Sequence, residues 1–422
     1  MQFQFTSLRP WIFCAIALRF FNDGAEEFFI APSAWYYIKS LGQTITFLGL
    51  VLMAFPVAAL LTGSIVGRLA DRFGNIKRII IICFAMKSAA YIIYSIPVSA
   101  YFPLAGRLLS GLADGSAGVY YGQVILYTPE KYRARVFIIL DGMFTLGSLF
   151  GPTVSVFLTF NVNILGWRID AGNSPGIVLA LIWFVLMLNA LCFPQEFGTK
   201  KTTDEDDYGD DVLHTEDSSD PASYGSRSTV CLLFYLVFLG LFFSTTATFY
   251  VPLLAQEHFY LQFGHVKLLF LVSSMFSMVV FLLYYVAADY LHETHLLICS
   301  MLMQVCAISI LTYFAFTWNS ASGVDEGYML MVYISLGMPY FSFALSCSLL
   351  SKVTDPKDAA FYQGTSFAAL HSGFVVSRLI ASFIFTKTML LWFCLVLVLS
   401  WTFGVVWFIV EYRNLARPKN NS

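Results

Sequence analysis

Charge is what this chain has least of. Of 422 residues only 12% are Asp, Glu, Lys or Arg, against 58% hydrophobic, where a soluble domain carries about 25% charged residues. That scarcity excludes an ordinary soluble globule and a disordered chain. Metal-ligand spacing, a phosphate-binding glycine loop and a nucleophile–base–acid pattern are also missing, so neither an enzyme, a cofactor nor a metal is expected. The eight cysteines (14, 83, 192, 231, 299, 306, 347 and 394) fall inside or beside apolar runs rather than in loops. They read as small packing residues, not a disulfide framework. The net charge of −2 says nothing about partners, and no nucleic acid is expected among them. Met1 to Leu8 has no basic region and no small-residue cleavage site follows, so the first apolar run is expected to act as its own insertion signal.

What is present is a succession of apolar runs, each near the roughly 20 residues that cross a bilayer core. Spans are expected near 11–37, 44–67, 78–97, 101–126, 134–160, 174–193, 229–252, 265–287, 295–316, 328–350, 359–385 and 389–411. All should be helices, because a spanning backbone must satisfy its own hydrogen bonds. The fold class is therefore an all-α membrane protein of twelve helices in two six-helix bundles, residues 1–193 and 229–422, joined by 194–228. The joining segment holds nine carboxylates between Asp204 and Asp220 and reads as a disordered acidic linker. With both termini cytosolic, sixteen Lys and Arg residues lie on the cytosolic side. Lys39, Arg168, Lys267 and Lys387 lie opposite, as the positive-inside rule requires.

The two halves echo each other. "LYTPEKYRARVFIILDG" leads from span 4 to span 5, and "LSKVTDPKDAAFYQG" from span 10 to span 11. Such a parallel repeat places a substrate site at midplane between the halves.

Four charges interrupt span 1 in "RFFNDGAEEFF": Arg19, Asp23, Glu26 and Glu27. Helical spacing puts them on one side, and ionisable groups inside a membrane belong on a cavity or bundle face. Arg19 and Asp23 form an i,i+4 pair, while Glu26 and Glu27 lack a local partner. Lys87, Arg107, Asp114 and Asp141 lie in other first-half spans; the second half offers His371 and Arg378, seven apart in span 11. A proton or substrate relay through Glu26, Glu27, Asp114 or Asp141 with Arg107 follows, its coupling chemistry concentrated in the first bundle. Arg107 and Arg378 are candidates to clamp an anion, and His371 to sense acidic pH.

Three motifs tie the pattern to a family. "GRLADRFGNIKR", residues 67–78, resembles the signature loop of the major facilitator superfamily through Gly67, Asp71, Arg72, Gly74, Lys77 and Arg78. The glycines allow close approach and a tight turn, Asp71 can face the positive end of a helix, and the basic residues can pair with carboxylates. In the second half "AADYLHETH" keeps only Asp289. "GRLLSGLADGSAG", residues 106–118, resembles the superfamily's span-4 motif. "GSLFGP", with Gly147, Gly151 and Pro152, resembles its span-5 hinge.

Within the superfamily, residues 106–160 and 334–382 resemble the lysosomal neuronal ceroid lipofuscinosis branch. Leu336, Gly337, Pro339, Ser351, Lys352, Tyr362, Gly364 and Arg378 carry that match, and vacuolar SPX-type phosphate transporters of plants are more distantly similar. The resemblance implies a secondary transporter of a small solute, an anion and protons included, in a lysosomal or endosomal membrane, with the plasma membrane as the other location. Its partners would be that solute and the lipid bilayer, and it would work as a monomer. A channel-like chloride pathway and a non-transporting receptor or scaffold are the alternatives.

Overall fold

A computed structural model describes residues 6–156, 161–164, 167–194, 197, 225–257, 263–317, 330–336, 342–381 and 386–416. The linker expected at 194–228 lies almost wholly outside them, as do Gly337 and Pro339 and the side chains of Glu27 and Pro152.

The described helices thread up and down. They are α1 (Pro10–Ser40), α2 (Ile45–Phe73), α3 (Ile76–Tyr94), α4 (Tyr101–Ala113), α5 (Ser116–Leu126), α6 (Glu130–Val156) and α7 (Ser174–Leu191) in the first half. The second half has α8 (Arg227–Glu257), α9 (Phe263–Ala287), α10 (Glu293–Thr317), α11 (330–336), α12 (Ser342–Val353), α13 (Ala359–Ala381) and α14 (Lys387–Ala416). With α4 and α5 as one span and α11 and α12 as another, they fill the twelve expected spans. The chain is a multi-pass membrane protein.

Five described helices are long and apolar enough to cross a membrane by hydropathy alone. Others fall short for a visible reason: α1 carries Arg19, Asp23, Glu26 and Glu27, and α3 carries Lys77, Arg78 and Lys87. Of these, Arg19, Glu26 and Lys87 are buried. Apolar side chains are turned outward, as on α14, where Trp392, Leu399, Phe403 and Ile409 are exposed.

Two local features differ from the expected spans. Span 4 is pinched rather than continuous: Asp114 N–H bonds the Gly111 carbonyl at 3.1 Å, and Ala117 N–H the Asp114 carbonyl at 2.9 Å. These are i to i−3 bonds, the tight turn that marks hinges within helices. After α6 a short antiparallel hairpin, β1 (Val162–Ile164) and β2 (Trp167–Ile169), lies where only a loop is expected. Its turn into α7 is held by Asn173, whose amide donates to the carbonyls of Ser95 and Arg168.

In the first half α1 packs on α6 and α3 on α7 and α4; in the second, α8 packs on α12, α13 and α14. The halves meet along α2 and α5 against α13, and along α6 against α12 and α9. Glycine makes the main seam possible. A Cβ on Gly67 would stand 2.2 Å from the Ala360 carbonyl oxygen, and one on Gly118 2.3 Å from Gly364 Cα. Gly147 serves α1–α6 packing, its hypothetical Cβ 1.8 Å from the Phe21 carbonyl oxygen. Gly151 is buried, and α6 runs through Pro152 to Val156.

Candidate functional site

Three layers stack along the seam between the halves: a latch at the α2–α3 loop, a buried charge cluster, and a cavity.

At the latch α2 ends on Gly74, whose φ of 65° is left-handed, a conformation that glycine adopts without strain. Asp71, one turn earlier, accepts from the backbone N–H of Ala360 at 3.2 Å and Phe361 at 2.7 Å. These are free donors of the first turn of α13, where a carboxylate is favoured by unmet N–H groups and the helix dipole. Arg68, outside the expected motif set, bridges to Asp358 at 2.9 Å. Asp289 pairs with Arg135 at the start of α6, so each half sends a loop carboxylate to the other. Lys77 differs from its expected carboxylate pairing: its ammonium donates to the Phe193 carbonyl at 2.6 Å, past the end of α7 where carbonyls lack helical partners. Arg72 and Arg78 are exposed.

Further along, six charged groups from α1, α3, α4 and the α4–α5 pinch converge. Arg19 pairs with Asp23 at 2.5 Å and reaches Asp114 at 3.6 Å. Lys87 lies at the centre, 2.7 Å from Asp114, 3.0 Å from Asp23 and 3.2 Å from Glu26. Its ammonium also sits 4.1 Å from the Trp183 ring, and the Trp183 indole donates to Glu26 at 3.1 Å. Arg107 lies 3.9 Å from Glu26, its guanidinium 4.8 Å from the Phe55 ring. Arg19, Lys87 and Arg107 balance Asp23, Glu26 and Asp114. That balance is what makes such burial tolerable, since an unpaired charge in a low-dielectric interior costs several kcal/mol.

Glu26, without a local partner in the sequence, is 2% exposed and held from α3 and α7 by Lys87 and Trp183. Lys87 stands out in the sequence only as a single lysine in "IIIICFAMKSAAYIIY", with nothing to assign it a role in the site. The second half reaches the cluster as well. His371 of α13 places Nε2 3.5 Å from Asp114 Oδ2, while its Nδ1 lies 2.7 Å from the Phe367 carbonyl. A carbonyl only accepts, so Nδ1 carries a proton and Nε2 is the atom that can gain or lose one toward Asp114.

Beyond the cluster a cavity opens between the halves, about 650 Å³ with its mouth included. Asp23, Phe55, Pro56, Asp114 and Asp141 line it from the first half, and Phe343, Phe367, His371, Phe374 and Arg378 from the second. Arg378 lines it and Arg107 does not: the latter is fully buried behind Phe55. Pro56 lies inside α2 and has no N–H for the Leu52 carbonyl four residues back. Arg378 supplies the missing donor, its Nη1 3.2 Å from Leu52 O. One half thus mends a break in the other half's helix.

Residues 12–348 match the Major Facilitator Superfamily profile. The chain belongs to that family of transporters. It is 25% identical to the class H tetracycline resistance protein of Pasteurella multocida over 167 residues, 40% of this chain and 39% of that protein. With the quinolone resistance protein NorA of Staphylococcus aureus it shares 26% over 131 residues, 31% and 33% of the two. The matches thus span about a third to two-fifths of these curated relatives. Solved structures cover far more at lower identity. The human organic anion transporter MFSD10 superposes with a TM-score of 0.66, 14% identity and coverage of 94% and 100%. A bacterial homologue of the iron transporter ferroportin, outward-facing, gives 0.70, 12%, 96% and 100%.

Proposed function

We propose that this chain is a proton-linked secondary transporter that carries a small organic solute by alternating access to the cavity between its halves. The carrying observation is the contact between Asp114 and His371, which joins a cavity-lining carboxylate of one half to an imidazole of the other. With a proton on Nε2 the pair is a charge-assisted contact that holds the halves together. Without it a lone pair faces a carboxylate oxygen, and the attraction is lost. Lys87 and Arg19 face the same carboxylate, so the proton competes with fixed cations for Asp114. Proton occupancy is thereby tied to closure of α13 on the first half, which is the coupling that transport requires.

Orientation follows from the basic residues, with the latch and both termini cytosolic and the cavity mouth toward the lumen or exterior. The family resemblance supports a lysosomal or late-endosomal membrane, which fractionation against organelle markers tests. The relatives and structural neighbours range over drug resistance, organic anions and iron, so the lining alone bears on the charge of the solute. An anion clamp by Arg107 and Arg378 loses one jaw, because Arg107 is spent on Glu26 behind Phe55.

Purified protein in liposomes, offered a panel of organic cations, anions, sugars and amino acids with and without a pH gradient, tests the proposal. Saturable uptake stimulated by the gradient is expected, with the stimulation lost in Asp114→Asn and His371→Gln. Non-saturating currents that ignore the pH gradient would instead establish the channel reading.

A further inference from the structure

Besides the phenol of Tyr121, five ionisable side chains line the cavity: Asp23, Asp114, Asp141, His371 and Arg378. Four are engaged. Asp23 and Asp114 share Lys87 and Arg19, His371 meets Asp114, and Arg378 holds the Leu52 carbonyl. Asp141 is different. It is 3% exposed, its Oδ2 has no hydrogen-bond partner among the described residues, and no described cation lies within ion-pair distance of it.

We infer that Asp141 is the recognition site for an organic cation with an aromatic or bulky apolar body, a reading that rests on the cavity being the solute site of the transporter proposed above. An ionised carboxylate with no partner inside a protein costs several kcal/mol, so the structure leaves a positive charge to arrive from outside, as a cation or a proton. The walls around it suit the cation. Tyr121, Phe144, Phe343, Phe367 and Phe374 line the same space, and aromatic faces attract cations by roughly 0.5–2 kcal/mol each when desolvated. Tyr121 and Phe343 each meet Phe367 edge-to-face at 5.1 Å and lie tilted against each other at 5.7 Å. This is a rigid apolar surface drawn from both halves, α5 on one side and α12 and α13 on the other. An anion would meet three carboxylates and a single guanidinium that is already bonded.

Tetraphenylphosphonium and tetraphenylborate have nearly the same size and shape and opposite charge. Their saturable binding to the purified full chain, measured by calorimetry above the background of empty micelles, tests the inference. Wild-type protein should bind the phosphonium at least tenfold more tightly than the borate. Asp141→Asn should lose at least tenfold in phosphonium binding, and Asp141→Glu should keep most of it. Equal or tighter binding of the borate, no saturable phosphonium binding, or unchanged binding by Asp141→Asn would each overturn it. The comparison of the two probes on wild-type protein needs no variant, so a poorly folding substitution does not blunt the test. Binding is read without a gradient, so failure of proton-linked uptake would sink the transporter reading while leaving this result standing.

Discussion

Lys87 shows how one residue can organise a buried site. Fully buried, it is the cation nearest to Asp114 and Glu26 at once. Lys87→Met leaves those carboxylates with too little positive charge in a low-dielectric interior, and removing one partner of a buried ion network costs about 3–5 kcal/mol. Thermal unfolding in detergent should show a clear fall in midpoint, partly restored by Lys87→Arg. A second prediction concerns Pro56 and Arg378. Arg378→Leu strands the Leu52 carbonyl, a loss of about 1–3 kcal/mol for a buried acceptor, whereas Pro56→Ala restores the helical donor that Leu52 lacks. The double variant should therefore be less destabilised than the sum of the single ones; strict additivity in a double-mutant cycle would contradict the repair. The individual charges of the cluster were legible, because ionisable residues in apolar spans are conspicuous. Their partners were not. Spacing along α1 shows that Arg19 can meet Asp23, but nothing in a linear reading says that Lys87 and Trp183 reach Glu26 from α3 and α7.

At the scale of elements, the seam between α2 and α13 carries the weight. Gly67→Val would force side-chain atoms into the Ala360 carbonyl, within 2.2 Å of even a Cβ, and so prise α2 from the start of α13. Cysteines introduced near the latch should then react faster with a membrane-impermeant maleimide applied to the latch side. Asp71→Asn keeps a side-chain acceptor but loses the charge facing the α13 dipole, about 0.3–1 kcal/mol, so its effect on the same labelling rate should be several-fold at most. Gly67, Asp71 and Gly74 could be read as a latch from the motif, with Asp71 against the positive end of a helix, but that the helix is α13 could not. The pinch between α4 and α5 was hidden for a related reason: Asp114, Gly115 and Ser116 interrupt an apolar run no more than other small residues do. What distinguishes them is that Gly111 and Gly115 press on α2. The hairpin of β1 and β2 escaped because three-residue strands are too short for alternation to register.

For the whole molecule, the two halves share a plan but divide the labour. The exchange of loop carboxylates is nearly symmetric, Asp71 on the start of α13 and Asp289 on the start of α6. This matches the repeat visible in the segments that lead into spans 5 and 11. The ionisable groups of the cluster and cavity are asymmetric: the six of the cluster and Asp141 from the first half, against His371 and Arg378 from the second. One half therefore holds a charge store, and among the described residues the other touches it through one imidazole, His371. A transporter built this way must separate the latch to release its solute. Spin labels at Arg72 and Lys357, both exposed, in protein whose accessible cysteines are replaced, report that separation directly by pulsed electron resonance in liposomes. The account predicts two distance populations: a short one matching the latched arrangement, and a longer one whose share changes with pH and with added solute. A single short distribution, unmoved by either, would contradict it.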